Sequence, residues 1–158
     1  MKDTRSINQH LRECNTCSDY HDKAESFNRN LNDVRELASK TEDERHRHIH
    51  ERMSKMANME EEERREALTD MMDAISILPE DDRIKLVRTR MDVITDFPKY
   101  ERDPVMKTLG HVMRDWDKER RRIEANSFHK AIEEYPVLKR MMMRNLFDRM
   151  VDDLQSEK

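Results

Sequence analysis

The stretch HLRECNTCSDYH, His10 to His21, holds both cysteines of the chain, Cys14 and Cys17, spaced C-x2-C, with His10 four residues before the first and His21 four residues after the second. Thiolates and imidazoles are borderline-soft donors that suit zinc, and C-x2-C lets two thiolates reach one ion. The same pair could form a reversible disulfide, although on a continuous helix that bond would distort the backbone. A third reading is plain packing, because steps of 4, 3 and 4 put His10, Cys14, Cys17 and His21 on one helix face. One straight helix cannot wrap all four around an ion, since their span is about 16 Å along the axis at 1.5 Å per residue. A complete site needs a bend or a second element.

A second set lies in DERHRHIHERMSKMANM. His46 and His50 stand at i, i+4 with Asp43 just before them, and Met53, Met56 and Met59 follow. Imidazoles suit divalent ions and thioethers suit copper(I), so this tract could carry a soft metal. The competing reading is an exposed histidine face over methionine packing, because 13 methionines are spread over the whole chain. Two shorter runs complete the inventory. DKERRR, Asp117 to Arg122, reads as a solvated helix face with internal acid–base pairs. The run Met141-Met142-Met143 could mark an apolar partner-binding face, although packing between two neighbours would account for at least two of the three.

HLRECNTC, His10 to Cys17, resembles the H-x3-C-x2-C element of zinc-binding anti-sigma factors and their related zinc-finger domain. The resemblance covers about a dozen residues. It implies that His10, Cys14 and Cys17 ligate zinc together with a ligand from a preceding helix, and that oxidation could release the metal. The chain departs from that pattern because no histidine or cysteine precedes His10. Asp3, His21 or a second chain would supply the fourth ligand.

The elements that must position these residues are helical. Of 158 residues, one is glycine, Gly110, which excludes the phosphate-cradling loops, dinucleotide fingerprints and nucleophile elbows that need several. Strand-forming residues are scarce while Glu, Lys, Arg, Met and Leu abound, so the expected class is all-α. Charged residues make up 42% and the net charge is −4, with both signs interspersed, so neither nucleic acid nor an anionic membrane is an expected partner. No apolar run is long enough to span a bilayer, and two cysteines at metal-type spacing make the cytoplasm the expected compartment.

LPEDDRIKLVRTRMDVI at Leu78 and FPKYERDPVMKTLGHVM at Phe97 align without gaps at a separation of nineteen residues, and the phase extends both ways. Units open at Lys40, Met59, Leu78, Phe97, Trp116 and Tyr135. The sixth position is arginine in all six: Arg45, Arg64, Arg83, Arg102, Arg121 and Arg140. The seventeenth is apolar in all six: Met56, Ile75, Ile94, Met113, Ile132 and Val151. Each unit reads as one helix, with an N-cap at the residue before the first position (Ser39, Asn58, Asp96 and Asp115 are good cap types), proline in the first turn at Pro79, Pro98 and Pro136, and acidic residues behind it. Apolar residues at positions 9 or 10, 13 and 17 give each helix one buried stripe.

Two units make 38 residues, the length of a helix pair in common α-solenoids. The expected organisation is therefore an N-terminal amphipathic helix over 1–39, three helical hairpins over 40–77, 78–115 and 116–153 stacked as a solenoid or closed as a bundle, and a tail over 154–158. The boundaries at Asn58 and Trp116 lack an enforcing proline, so either flanking pair could be one longer helix. The arginines could line a groove for acidic ligands, but their place at the rim of the buried stripe points to a structural role, stem packed and head on free helix-end carbonyls.

These features predict a non-enzymatic regulatory or adaptor protein that binds another protein through its repeats. Zinc at His10, Cys14 and Cys17 and homodimerisation through the N-terminal helix are the accompanying expectations. The rivals are a thiol redox or metal sensor, and a copper carrier using Asp43, His46, His50, Met53 and Met56.

Overall fold

The computed structural model describes residues 15–156, and among these every regular element is an α-helix. In chain order they are α1 (Asn15–Ser39), α2 (Glu42–Ala57), α3 (Glu61–Ser76), α4 (Glu80–Asp96), α5 (Lys99–Arg114), α6 (Lys118–Ile132) and α7 (Val137–Ser156). From α2 onward the helices begin at 42, 61, 80, 99, 118 and 137, a constant step of nineteen, so each unit is one helix. The chain breaks at Asn58 and Trp116 as it does at the proline-marked boundaries.

The same turn recurs in every unit. The amide of the first-position residue donates to the seventeenth-position carbonyl of the unit before, as in Met59 to Met56, Leu78 to Ile75, Phe97 to Ile94, Trp116 to Met113 and Tyr135 to Ile132. The second-position carbonyl then accepts the first helical bond, and in all six units the donor is the amide of the sixth-position arginine, at 2.9–3.1 Å. Helix entry therefore falls two residues later than the cap-type residues suggested. Asn58, Ile77 and Asp115 cap the C-termini of α2, α3 and α5, while Thr41, Glu60, Pro79, Pro98 and Asp117 occupy the N-cap. The reason is the first position: Leu78, Phe97 and Trp116 are buried and must leave the helical path to reach the core.

Local chemistry supports this entry point. The Thr41 hydroxyl accepts from the Glu44 amide while the Glu44 carboxylate accepts from the Thr41 amide at 3.2 Å, a reciprocal capping box. Asp117 caps α6 by accepting from the Arg120 amide at 2.7 Å. Pro79 and Pro98 have φ of −52° and −58° and extended ψ of 148°, which proline adopts without cost.

The hairpin pairing expected from the 38-residue spacing is not how the helices pack. Successive helices touch sparingly, whereas α1 packs on α3, α2 on α4, α3 on α5, α4 on α6 and α5 on α7, with second-rank contacts from α1 to α4 and α2 to α5. Between α3 and α5, His111 Nδ1 lies 3.9 Å from Glu61 and Asp115 accepts from Arg65 at 2.8 Å. Contacts therefore advance together along both chains, and helices two apart run parallel. The spacing of 38 is the repeat of this parallel contact.

A helix embraced from two sides needs more than one apolar stripe. α4 accordingly buries Leu86, Val87, Met91, Val93 and Ile94, with Leu78 and Phe97 closing its ends. α1 joins the same core through Leu31, Val34, Leu37 and Ala38, although its sequence has lost the repeat phase.

Candidate functional site

The sequence-predicted zinc cluster straddles the limit of the described residues, with His10 and Cys14 outside it. Cys17 is half-buried in the first turn of α1, and His21 is exposed one turn later. His21 Nε2 is 3.5 Å from Glu25 and its Nδ1 is 3.8 Å from Asp22. These three side chains each bring one ligand atom within 4.8 Å of the others. Among the described residues the group around His21 thus offers an imidazole with two oxygen donors, a set zinc accepts, and Cys17 stands outside it.

The His/Met tract is divided by the fold. His46 Nε2 lies 3.1 Å from Asp96, and the His50 ring stacks on Phe97 with centroids 4.7 Å apart. Met53 and Met56 are buried and line an apolar cavity of about 20 Å³ with Val34, Leu37, Ile49 and Leu86. Met53 and Met56 are buried, whereas Asp43 and His50 are exposed.

The recurrent arginines form a ladder. Arg45 Nε donates to Thr89 Oγ1 at 2.9 Å, Arg64 Nε to Thr108 Oγ1 at 2.9 Å and Arg83 Nε to Ser127 Oγ at 3.4 Å, each across 44 residues. These hydroxyls occupy the twelfth position two units on, and each gives its own proton to the carbonyl four residues back, Lys85, Pro104 or Ile123. The hydroxyl oxygen is thereby left facing the guanidinium. Nη1 of each arginine donates to the first-position carbonyl, Lys40 at 2.8 Å, Met59 at 3.0 Å and Leu78 at 2.8 Å. One side chain ties its own helix, the preceding turn and the helix two further on.

The ladder ends where the hydroxyl does. The residue 44 positions after Arg102 is Leu146, and Arg102 Nε is buried without a hydrogen-bond partner. Asp103 at 3.8 Å is too far to satisfy it. Arg121 is exposed, and Arg140 Nη1 reaches only the Glu133 carbonyl at 3.4 Å. The hydroxyls at Thr89, Thr108 and Ser127 are residues that sequence reasoning missed, and their recurrence behind the arginines was the available signal.

Other charges also serve the packing. Arg120 pairs with Asp73 at 2.6 Å and lies over the Trp116 ring, while Arg122 pairs with Glu119. Arg90 and Glu124 form an ion pair buried in the core, with Arg90 Nη1 also 3.1 Å from Met72 Sδ. The Tyr135 hydroxyl donates to Asp92 at 2.7 Å, and burial followed by that bond raises its pKa strongly.

At the end of the ladder the outer surface changes character. Val137, Leu138, Met141 and Met142 are 62, 72, 55 and 59% exposed, and their i, i+1, i+4, i+5 spacing makes one continuous face of α7. Of the three consecutive methionines only Met143 is buried, so packing accounts for one rather than two. No protein-family model, curated protein or solved structure matches the chain.

Proposed function

We propose that the chain is a non-enzymatic regulatory or adaptor protein whose helical repeats form a rigid scaffold and whose contact surface is the apolar face of α7. The observation that carries this reading is the exposure of Val137, Leu138, Met141 and Met142 side by side. Exposed contiguous apolar surface is characteristic of protein contacts, and methionine adapts its shape to a partner. In this reading His10, Cys14 and Cys17 hold zinc, with Asp3, His21 or a second chain supplying the fourth ligand, and the metal would fix the chain entering α1. Zinc there would supply structure, or thiol-dependent control of that segment.

The test is a photo-crosslinking amino acid placed singly at positions 138, 142 and 122 of the full chain in its native host. Protein adducts from 138 and 142 but not from the exposed, charged position 122 are expected, and no adduct from either α7 position would overturn the reading. Metal content of protein purified without chelators checks the zinc element. One zinc per chain lost in a Cys14→Ser/Cys17→Ser variant is expected, and metal-free protein of unchanged stability would refute it.

A further inference from the structure

The tie that joins the other parallel helices is missing where α7 meets α5. Arg45, Arg64 and Arg83 each donate to a hydroxyl on the helix two further on, whereas Arg102 of α5 has its Nε buried without a partner and Leu146 at the hydroxyl's place on α7. The apolar hold is thin as well. Helices α2 to α6 each bury four residues or more, but among the described side chains of α7 only Met143 and Met150 are buried. Leu146 and Phe147 are partly buried, and the Phe147 ring stacks on Phe128 of α6 with centroids 4.6 Å apart. Both buried anchors are unbranched methionines, which fill a surface without fixing one arrangement on it. Polar bonds hold the opposite end of the helix. Lys139 Nζ and the Tyr135 hydroxyl both donate to Asp92 Oδ1 at 2.7 Å, which pins the first turn of α7 and the turn before it to α4.

From this we propose that α7 is a latch, which lifts from α5 and α6 as one element, pivoting where Tyr135 and Lys139 hold Asp92, while α2 to α4 stay folded. The inference goes beyond the protein-binding role given to the outer face of α7 and does not depend on it. Proteins open in contiguous units of unequal stability, and those with the fewest buried apolar contacts open first. A hydrogen bond to a charged group shifts such an equilibrium by roughly tenfold to a hundredfold, so the absent Arg102 tie sets α7 apart from α4 and α6. Opening uncovers Met143, Met150 and the Phe147 ring, which face the scaffold when the helix is docked. The chain thus has a docked and a lifted state, and any ligand that prefers one of them shifts the balance between the two.

Thioether oxidation of the full chain by hydrogen peroxide tests this, with circular dichroism confirming that each variant is folded. Peroxide gives one oxygen atom to sulfur and leaves as water, and a buried methionine reacts only when it is uncovered. Met143 and Met150 are 0 and 6% exposed and Met53, Met72 and Met91 are 3, 2 and 4% exposed, so burial in the docked state is matched. Exposed Met141 and Met142 report the rate of an open site. Initial rates read by peptide mass spectrometry are expected to be at least about tenfold higher at Met143 and Met150 than at Met53, Met72 and Met91. Phe147→Ala removes the stack on Phe128 and should raise the rates at Met143 and Met150 a further tenfold or so, leaving the other three unchanged. Equal protection of all five methionines, or acceleration of all five together in Phe147→Ala, would show that α7 opens only with the whole chain and would overturn the inference. Met143 oxidising faster than Met150 would overturn the pivot at Asp92.

Discussion

Replacing Thr89 by valine keeps shape and volume while removing the oxygen that receives Arg45 Nε at 2.9 Å. Thr89 and Arg45 are 3 and 8% exposed, so water cannot replace the lost acceptor. The Lys85 carbonyl, which loses the Thr89 hydroxyl, still lies within its helix, so the cost falls on the guanidinium. Hydrogen bonds to charged groups contribute about 1.5–3 kcal/mol, and an unsatisfied buried donor costs a similar amount. Valine's extra methyl recovers under about 1 kcal/mol of transfer energy. The net expectation is a loss of about 1–2.5 kcal/mol, or roughly 3–8 °C in Tm for a chain of this size. Urea unfolding read by far-ultraviolet circular dichroism, with Arg45→Met and the double variant, closes a mutant cycle. A coupling of at least about 1 kcal/mol is expected. A Thr89→Val variant within about 0.3 kcal/mol of wild type, with no coupling to Arg45, would show that the ladder does not hold the parallel helices together.

The same reasoning runs in reverse at the ladder's end, where Leu146→Thr would offer Arg102 Nε the missing acceptor. Leu146 is only partly buried, so a gain of about 1.5 kcal/mol against an apolar loss of about 1 kcal/mol should leave urea stability equal or slightly raised, where a leucine truncation ordinarily lowers it. Glu124→Ala strands the Arg90 guanidinium in the core and should cost about 3–5 kcal/mol, whereas Arg90→Met with Glu124→Leu should recover most of it; equal losses in both would argue against a buried pair. Hydrogen bonds from Thr41, first its amide and then its hydroxyl, lower the Glu44 pKa below its ordinary 4.5. A depressed carboxyl stabilises the fold above its unfolded pKa and loses that contribution as pH falls through the folded one. The stability gap between wild type and Glu44→Ala should therefore be constant at neutral pH and shrink below about pH 4.5, as followed by thermal melts.

The helix count over 40–153 was legible because the nineteen-residue phase carries its own punctuation, arginine at position 6 and, in five of the six units, an apolar residue at position 1. The use of helix-end carbonyls by Arg45, Arg64 and Arg83 follows from their place beside the buried stripe. What could not be read was the choice of neighbour. A stripe at positions 9, 10, 13 and 17 marks the face that is buried without marking the helix that buries it, and a 38-residue period suits a stacked hairpin as well as a parallel contact. The twelfth-position hydroxyls decide between the two, since Thr89, Thr108 and Ser127 each follow an arginine by 44 residues, a distance that links helices two apart. The caps misled because Asn58 suits a helix C-terminus as well as an N-terminus, and Asp115 is accommodated at a C-terminus by its pair with Arg65; only the burial of the intervening aromatic or aliphatic residue separates the roles. α1 escaped the repeat because Ser26 stands where the arginine should be, while its apolar residues still fit the core. Of the zinc candidates, His10 and Cys14 lie outside the described residues.

Photo-crosslinking from single positions of the full chain in its native host bears most directly on the claim that α7 carries a protein-binding face. Protein adducts are predicted from positions 138 and 142, where Leu138 and Met142 are exposed, and not from 122 on α6. No adduct from either α7 position would contradict it.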